Sequence, residues 1–148
     1  EELGYAYLEK CKKEFNDNLL PYLIDTRVEN PVDRLINFLD AVFKNQKEHE
    51  GIGGCPFGNF AVEMSDVHNG FRKKVEEVFN SWEVEISRVL DEAKQERYLS
   101  VSVNTYQLTI QIIAIIQGSI ILMRARKNLK ILDDCLEGLK GIIREFSF

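Results

Sequence analysis

Cys55 stands where a helix should begin. Gly51, Gly53 and Gly54 precede it and Pro56 follows, and proline suits a first helical turn because its missing N–H would have no intrahelical partner there. The positive end of a helix dipole lowers a thiol pKa and raises its reactivity, which is the chemistry of a redox or electrophile sensor. A cysteine nucleophile in an enzyme also needs a positioned base, and neither His49 nor His68, the only histidines, is near Cys55 in sequence. The plainer role for Cys55 is a small buried residue filling a tight turn. His49, His68, Cys55 and Glu63 match no common metal-ligand spacing. There is no GxSxG, no phosphate-binding glycine loop, no HExxH and no EF-hand loop. The expectation is a chain that is not an enzyme and holds neither metal nor cofactor.

The remaining chemistry is that of binding an apolar molecule. Phe38, Val42, Phe57, Phe60, Met64, Phe79, Trp82 and Tyr106 are spread over separate segments. A short aromatic helix wedged between longer ones leaves an apolar cavity, and cavities of that kind with a few polar groups take small ligands. Gln107 and Gln111, one helical turn apart, are the expected polar groups, with Asn59 or the Tyr106 hydroxyl beside them. Core packing explains any one of these residues equally well.

Six helices are needed to place them. The first spans about residues 1–20 with Leu8, Cys11, Phe15 and Leu19 on one stripe, and Pro21 ends or kinks it. The second opens at Asn30-Pro31, an N-cap followed by proline at the first helical position, and carries Leu35, Phe38, Leu39 and Val42 before stopping at Gly51. The third is the short Pro56 helix, too short to be stable alone. Ser65-Asp66 offers a cap for a long fourth helix whose stripe is Phe71, Val75, Val78, Trp82, Ile86, Val89 and Ala93. No strand pattern is long enough to found a sheet, so the fold class is all-α.

The last two helices point to a second subunit. From Asn104 to Lys127 the apolar residues cannot share one face, and a helix apolar all round is buried on all sides. Leu129, Leu132, Leu136, Leu139, Ile143 and Phe146 then recur at spacings of three and four, as in a coiled coil. Ala114 with Gly118, and Gly138 with Gly141, let helix backbones approach. The expected interface is a two-fold four-helix bundle through Ala114, Gly118, Ile121, Leu132, Leu136, Leu139 and Ile143. Val103–Met123 lacks charge and is long enough to span a bilayer, but Asn104, Gln107, Gln111 and Gln117 lie in or beside it, so a buried helix is expected and no membrane.

Bulk properties agree with a single core: 148 residues, 45% hydrophobic and 29% charged. A net charge of −5 with no basic face beyond Lys10, Lys12 and Lys13 argues against nucleic-acid binding by this segment itself. Three well-separated cysteines fit a reducing compartment such as the cytoplasm. The opening Glu1-Glu2-Leu3-Gly4 has no N-cap and reads as the inside of a helix.

The string Gly54-Cys55-Pro56, Gly58-Asn59-Phe60-Ala61-Val62-Glu63, Ser65-Asp66 resembles the middle of the regulatory domain of TetR-family bacterial transcription repressors. The Asn30-Pro31 helix, the long amphipathic helix and the two final apolar helices follow in the family order. The resemblance implies a regulatory domain over 1–148, with about 1–20 forming the connection to an absent N-terminal helix-turn-helix domain. It implies a homodimer, a small apolar or aromatic effector in a cavity among the middle helices, and operator DNA bound only through the missing domain. A cysteine sensor through Cys55, and a structural helical dimer without ligand, are the alternatives.

Overall fold

The computed structural model describes residues 1–148 as an all-helical domain. The helices are α1 (Glu2–Asn18), α2 (Pro21–Ile24), α3 (Pro31–Glu48), α4 (Pro56–Met64), α5 (Asn69–Gln95), α6 (Thr105–Arg126) and α7 (Lys130–Glu145). The six expected helices are present, and the break at Pro21 is a one-turn helix of its own. The only β feature is an isolated antiparallel bridge between Leu99 and Ser147, which ties the chain end to the α5–α6 connection.

Local signals set the boundaries. Asn30 Oδ1 accepts from the Val32 N–H at 2.8 Å, and Pro31 occupies the first turn of α3. Asn104 Oδ1 accepts from the Gln107 N–H at 3.0 Å to open α6. The cap of α5 differs from expectation. His68 Nδ1, not Ser65 or Asp66, accepts from the Phe71 N–H at 3.2 Å. Ser65 and Asp66 lie in the turn that carries α4 towards α5, so His68 is the first residue placed to cap it.

α3 lies at the centre, against α2, α5 and α7, while α5 also packs on α4 and α6, and α6 pairs with α7. Leu35, Leu39, Ile86, Val89, Leu90 and Ile112 are essentially without solvent contact. Arg34 is buried among them and pairs with Glu92. α1 contributes only Leu8 to the fully buried core.

The last two helices require a correction. Leu132, Leu139 and Ile143 are buried within this chain and Leu136 is half-buried, so this stripe of α7 is core. One apolar stripe is enough to hold α7 on α6 and α3, and it is therefore not available to a partner. α6 is buried on one side only, through Leu108, Thr109, Ile112, Ile116, Ser119, Ile120 and Met123. Its opposite side exposes Ile110, Ala114, Ile121 and Leu122, with Gly118 half-buried.

Candidate functional site

The loop before α4 is built by close approach to α6. Gly54 has φ +65°, and a Cβ there would lie 2.9 Å from Arg124 Nη1. At Gly58 a Cβ would run into Gln117 Oε1. Without side chains at these positions α6 can clamp the segment. Asn59 Nδ2 donates to the Gly53 carbonyl at 2.6 Å, Arg124 Nη1 donates to Asn59 Oδ1 at 3.0 Å, and Gln117 Nε2 donates to the Cys55 sulfur at 3.5 Å.

Behind this clamp lies a cavity of about 520 Å³ walled by α1, α3, α4, α5 and α6. Four aromatic rings from four helices meet in it. Trp82 lies 4.8 Å from Phe15 at 31° and 5.5 Å from Phe57 at 87°, and Phe38 stands edge-on to Phe15 at 6.1 Å. Ile86, Ile113, Ile116 and Ile120 complete the apolar wall. Tyr7, Cys11, Cys55 and Gln117 bring polar atoms to it, and Asn18, Asn45, Gln46 and His49 line the slot between α1 and the end of α3. Burial pushes both the Tyr7 phenol and the Cys11 thiol above their ordinary values, so both are uncharged at neutral pH.

Of the residues expected to line a ligand site, Phe38, Val42, Phe57 and Trp82 face this cavity. Six do not. Phe60 turns towards the start of α1 and α5, 5.2 Å from Phe71 and 6.3 Å from Tyr7. Met64, half-buried at the end of α4, packs on the core. Phe79 backs onto Trp82 edge-to-face at 5.1 Å. Gln107 and Gln111 are exposed on the outer side of α6, out of phase with Ile113, Ile116, Gln117 and Ile120, so Gln117 is the glutamine that reaches the cavity. Tyr106 shares the phase of Ile113 but lies in the first turn of α6, two turns before it, and is exposed there.

Several lining residues were not singled out from the sequence. Tyr7 and Phe15 sit on α1, which reads as a connector. Asn45, Gln46 and His49 sit where the apolar pattern of α3 fades. The usable signal was the i, i+3, i+4, i+7 spacing of Ile113, Ile116, Gln117 and Ile120, in which one polar residue occupies a core position.

Residues 31–139 match the family model for the tetracyclin repressor-like C-terminal domain. The chain is 29% identical over 140 residues to an uncharacterized HTH-type transcriptional regulator in the lacX 3′ region of Lactococcus lactis subsp. lactis, covering 95% of this chain and 69% of that protein. It is 26% identical over 136 residues to the HTH-type transcriptional repressor DhaR of Mycobacterium sp. (strain GP1), covering 92% of this chain and 66% of the repressor. Its fold superposes on a TetR transcriptional regulator from Chloroflexus aurantiacus with a TM-score of 0.87 at 22% identity, over 99% of this chain and 73% of the other.

Proposed function

Because the chain belongs to the tetracyclin repressor-like C-terminal domain family and is the C-terminal domain of a TetR-family transcriptional regulator, we propose that its cavity is the effector site of a repressor. A small apolar or aromatic molecule seated there controls operator binding by an N-terminal helix-turn-helix domain outside residues 1–148. The reading places the protein in the bacterial cytoplasm, acting as a homodimer.

One observation carries this reading. Tyr7, Lys10, Cys11, Glu14, Phe15 and Asn18 of α1 form a wall of the cavity, while α1 gives the buried core only Leu8. The helix nearest that helix-turn-helix domain thus gives the buried core one of its 17 residues while six of them wall the cavity. A ligand shifts such an element only by binding its two positions with different affinity. The dimer in this reading forms through the exposed side of α6, at Ile110, Ala114, Gly118 and Ile121, with the open face of α7 at Gly138, Gly141 and Ile142.

A thermal-shift screen of compounds small enough for 520 Å³ tests the effector site, since a ligand that binds only the folded chain raises its melting temperature. A screen without hits, or hits that survive filling the cavity by Val42→Trp, rejects it.

The cysteine-sensor alternative has one specific observation in its favour: Cys55 and Cys11 both face this cavity. Against it, Cys55 is 8% exposed and the Cys11 thiol is raised by burial. Iodoacetamide labelling at neutral pH separates the two. An inert Cys55 in the folded chain removes the sensor reading.

A further inference from the structure

The lining of the cavity carries information about the charge of its occupant. Lys10 and Glu14 are the only ammonium and carboxylate in it. They lie one helical turn apart on α1, 3.7 Å from each other and largely in solvent, so their fields oppose each other at the outer edge. Further in, Cys55 is buried, the Cys11 thiol is raised by burial and uncharged at neutral pH, and Gln117 offers an amide, while the exposed Tyr7 phenol stands at the mouth. A formal charge placed there would lose its hydration and find no counter-ion.

The rings pack on one another: Trp82 is perpendicular to Phe57 (87°) and to Phe79 (86°) and 4.8 Å from Phe15, and Phe38 is perpendicular to Phe15 (80°). An aromatic body joins such a cluster by continuing its offset and edge-to-face contacts. At the other end, the slot between α1 and the end of α3 holds three uncharged amides, Asn18, Asn45 and Gln46. His49 lies beside them, and its Nδ1 is 2.7 Å from the Asn45 carbonyl. A carbonyl only accepts, so Nδ1 carries the proton.

We propose, on the footing of the effector-site reading above, that this cavity selects uncharged aromatic molecules of two-ended character. The fused or conjugated ring body sits among Phe15, Phe38, Phe57 and Trp82. A carboxamide or hydroxyl head lies in the slot, exchanging hydrogen bonds with Asn18, Asn45 and Gln46. The neutral head exchanges hydrogen bonds with these amides in both directions and brings no charge, for which the lining offers only the mutually paired Lys10 and Glu14.

The test uses three near-isosteric probes on the full chain: 2-naphthamide (neutral), 2-naphthoate (anionic) and 2-naphthamidine (cationic), with naphthalene as the headless reference. Binding is read by titration calorimetry and by melting temperature. The dissociation constant for 2-naphthamide is expected to be about tenfold or more below those of both charged probes, and below that of naphthalene. Equal or tighter binding of either charged probe overturns the proposal. Asn45→Leu is expected to weaken 2-naphthamide about fivefold and to leave naphthalene within about twofold. A variant that leaves 2-naphthamide unchanged, or weakens both probes equally, overturns the placement of the head. If no probe binds or stabilises the chain, the effector-site reading fails together with this one.

Discussion

Phe15 of α1 and Trp82 of α5 lie 4.8 Å apart with their ring planes 31° from parallel. This pair joins α1, which fully buries only Leu8, to the longest helix of the domain. Phe38 closes on Phe15 from α3, and Phe57 closes on Trp82 from α4. In the proposed function, a molecule that enters among these rings meets α1 directly, and this contact is the one through which occupancy would act on its position.

Phe15→Ala tests that contact. Trp82 is the only tryptophan, so the emission of the folded chain reports this one position. Removing the neighbouring ring should shift the emission to longer wavelength and cost about 1–3 kcal/mol, below the range for a fully buried phenylalanine because Phe15 is only half-buried. Unchanged emission would show that Phe15 does not shield Trp82.

Gly58→Ala tests the clamp between α4 and α6. In an unconstrained helix interior the change stabilises by about 0.5–1 kcal/mol. Here the new Cβ meets Gln117 Oε1, whose side chain also donates to the Cys55 sulfur, so the expected effect is a loss of about 1–3 kcal/mol. The double variant Gly58→Ala/Gln117→Ala should recover most of it, since the obstacle has gone. Urea unfolding of the two single variants and the double variant gives the coupling. A stabilising Gly58→Ala on its own contradicts the close approach.

Much of the fold was legible because its signals are local. Asn30-Pro31 announces a helix start through the side-chain oxygen that accepts there, and Asn30 is the cap observed; Asn104 opens α6 in the same way. Helix phase was harder. Leu132, Leu139 and Ile143 form a regular stripe whether they face this chain's own core or a partner, and only the fold decides between the two. The cavity was half legible for the same reason. Phe38, Phe57 and Trp82 mark its walls, but Gln107 and Gln111 attract notice as an adjacent pair while Gln117, alone among isoleucines, holds the phase that reaches inward. The contribution of α1 was hidden because its stripe of Cys11 and Phe15 looks the same in a connector as in a cavity wall.

The seating of α1 should loosen in acid. Glu9 on α1 accepts from Lys74 on α5 at 3.0 Å, and this hydrogen bond and charge hold the Glu9 carboxyl below its ordinary value. A depressed carboxyl contributes stability above its unfolded pKa and loses it as pH falls through the folded one, so the change belongs in acid, from the ordinary glutamate range downward. Hydrogen exchange of α1 amides should quicken over that interval relative to α5. Lys74→Met should flatten the difference, because Glu9 then titrates alike in both states. A pH profile that Lys74→Met leaves intact would assign the acid sensitivity to other carboxylates.

Opposite sides of the last two helices should respond in opposite ways to substitution. The outer side of α6 leaves Ile121 57% and Ile110 40% exposed, and Gly118, Gly138 and Gly141 have open space where a Cβ would stand. Such a face, apolar and free of bulk at its glycines, suits close packing of a second copy across a two-fold axis. Ile121→Arg should therefore convert a dimer to a monomer in sedimentation velocity while the circular dichroism and the cavity remain as they were. Leu139→Ala acts on the buried stripe instead. It should cost about 2–5 kcal/mol in unfolding, as for other buried leucines, and leave the association of the folded chain largely unchanged. If Leu139→Ala abolishes dimerisation while Ile121→Arg does not, the partner binds elsewhere. A chain that is monomeric at every concentration removes the two-fold interface from the proposed function altogether.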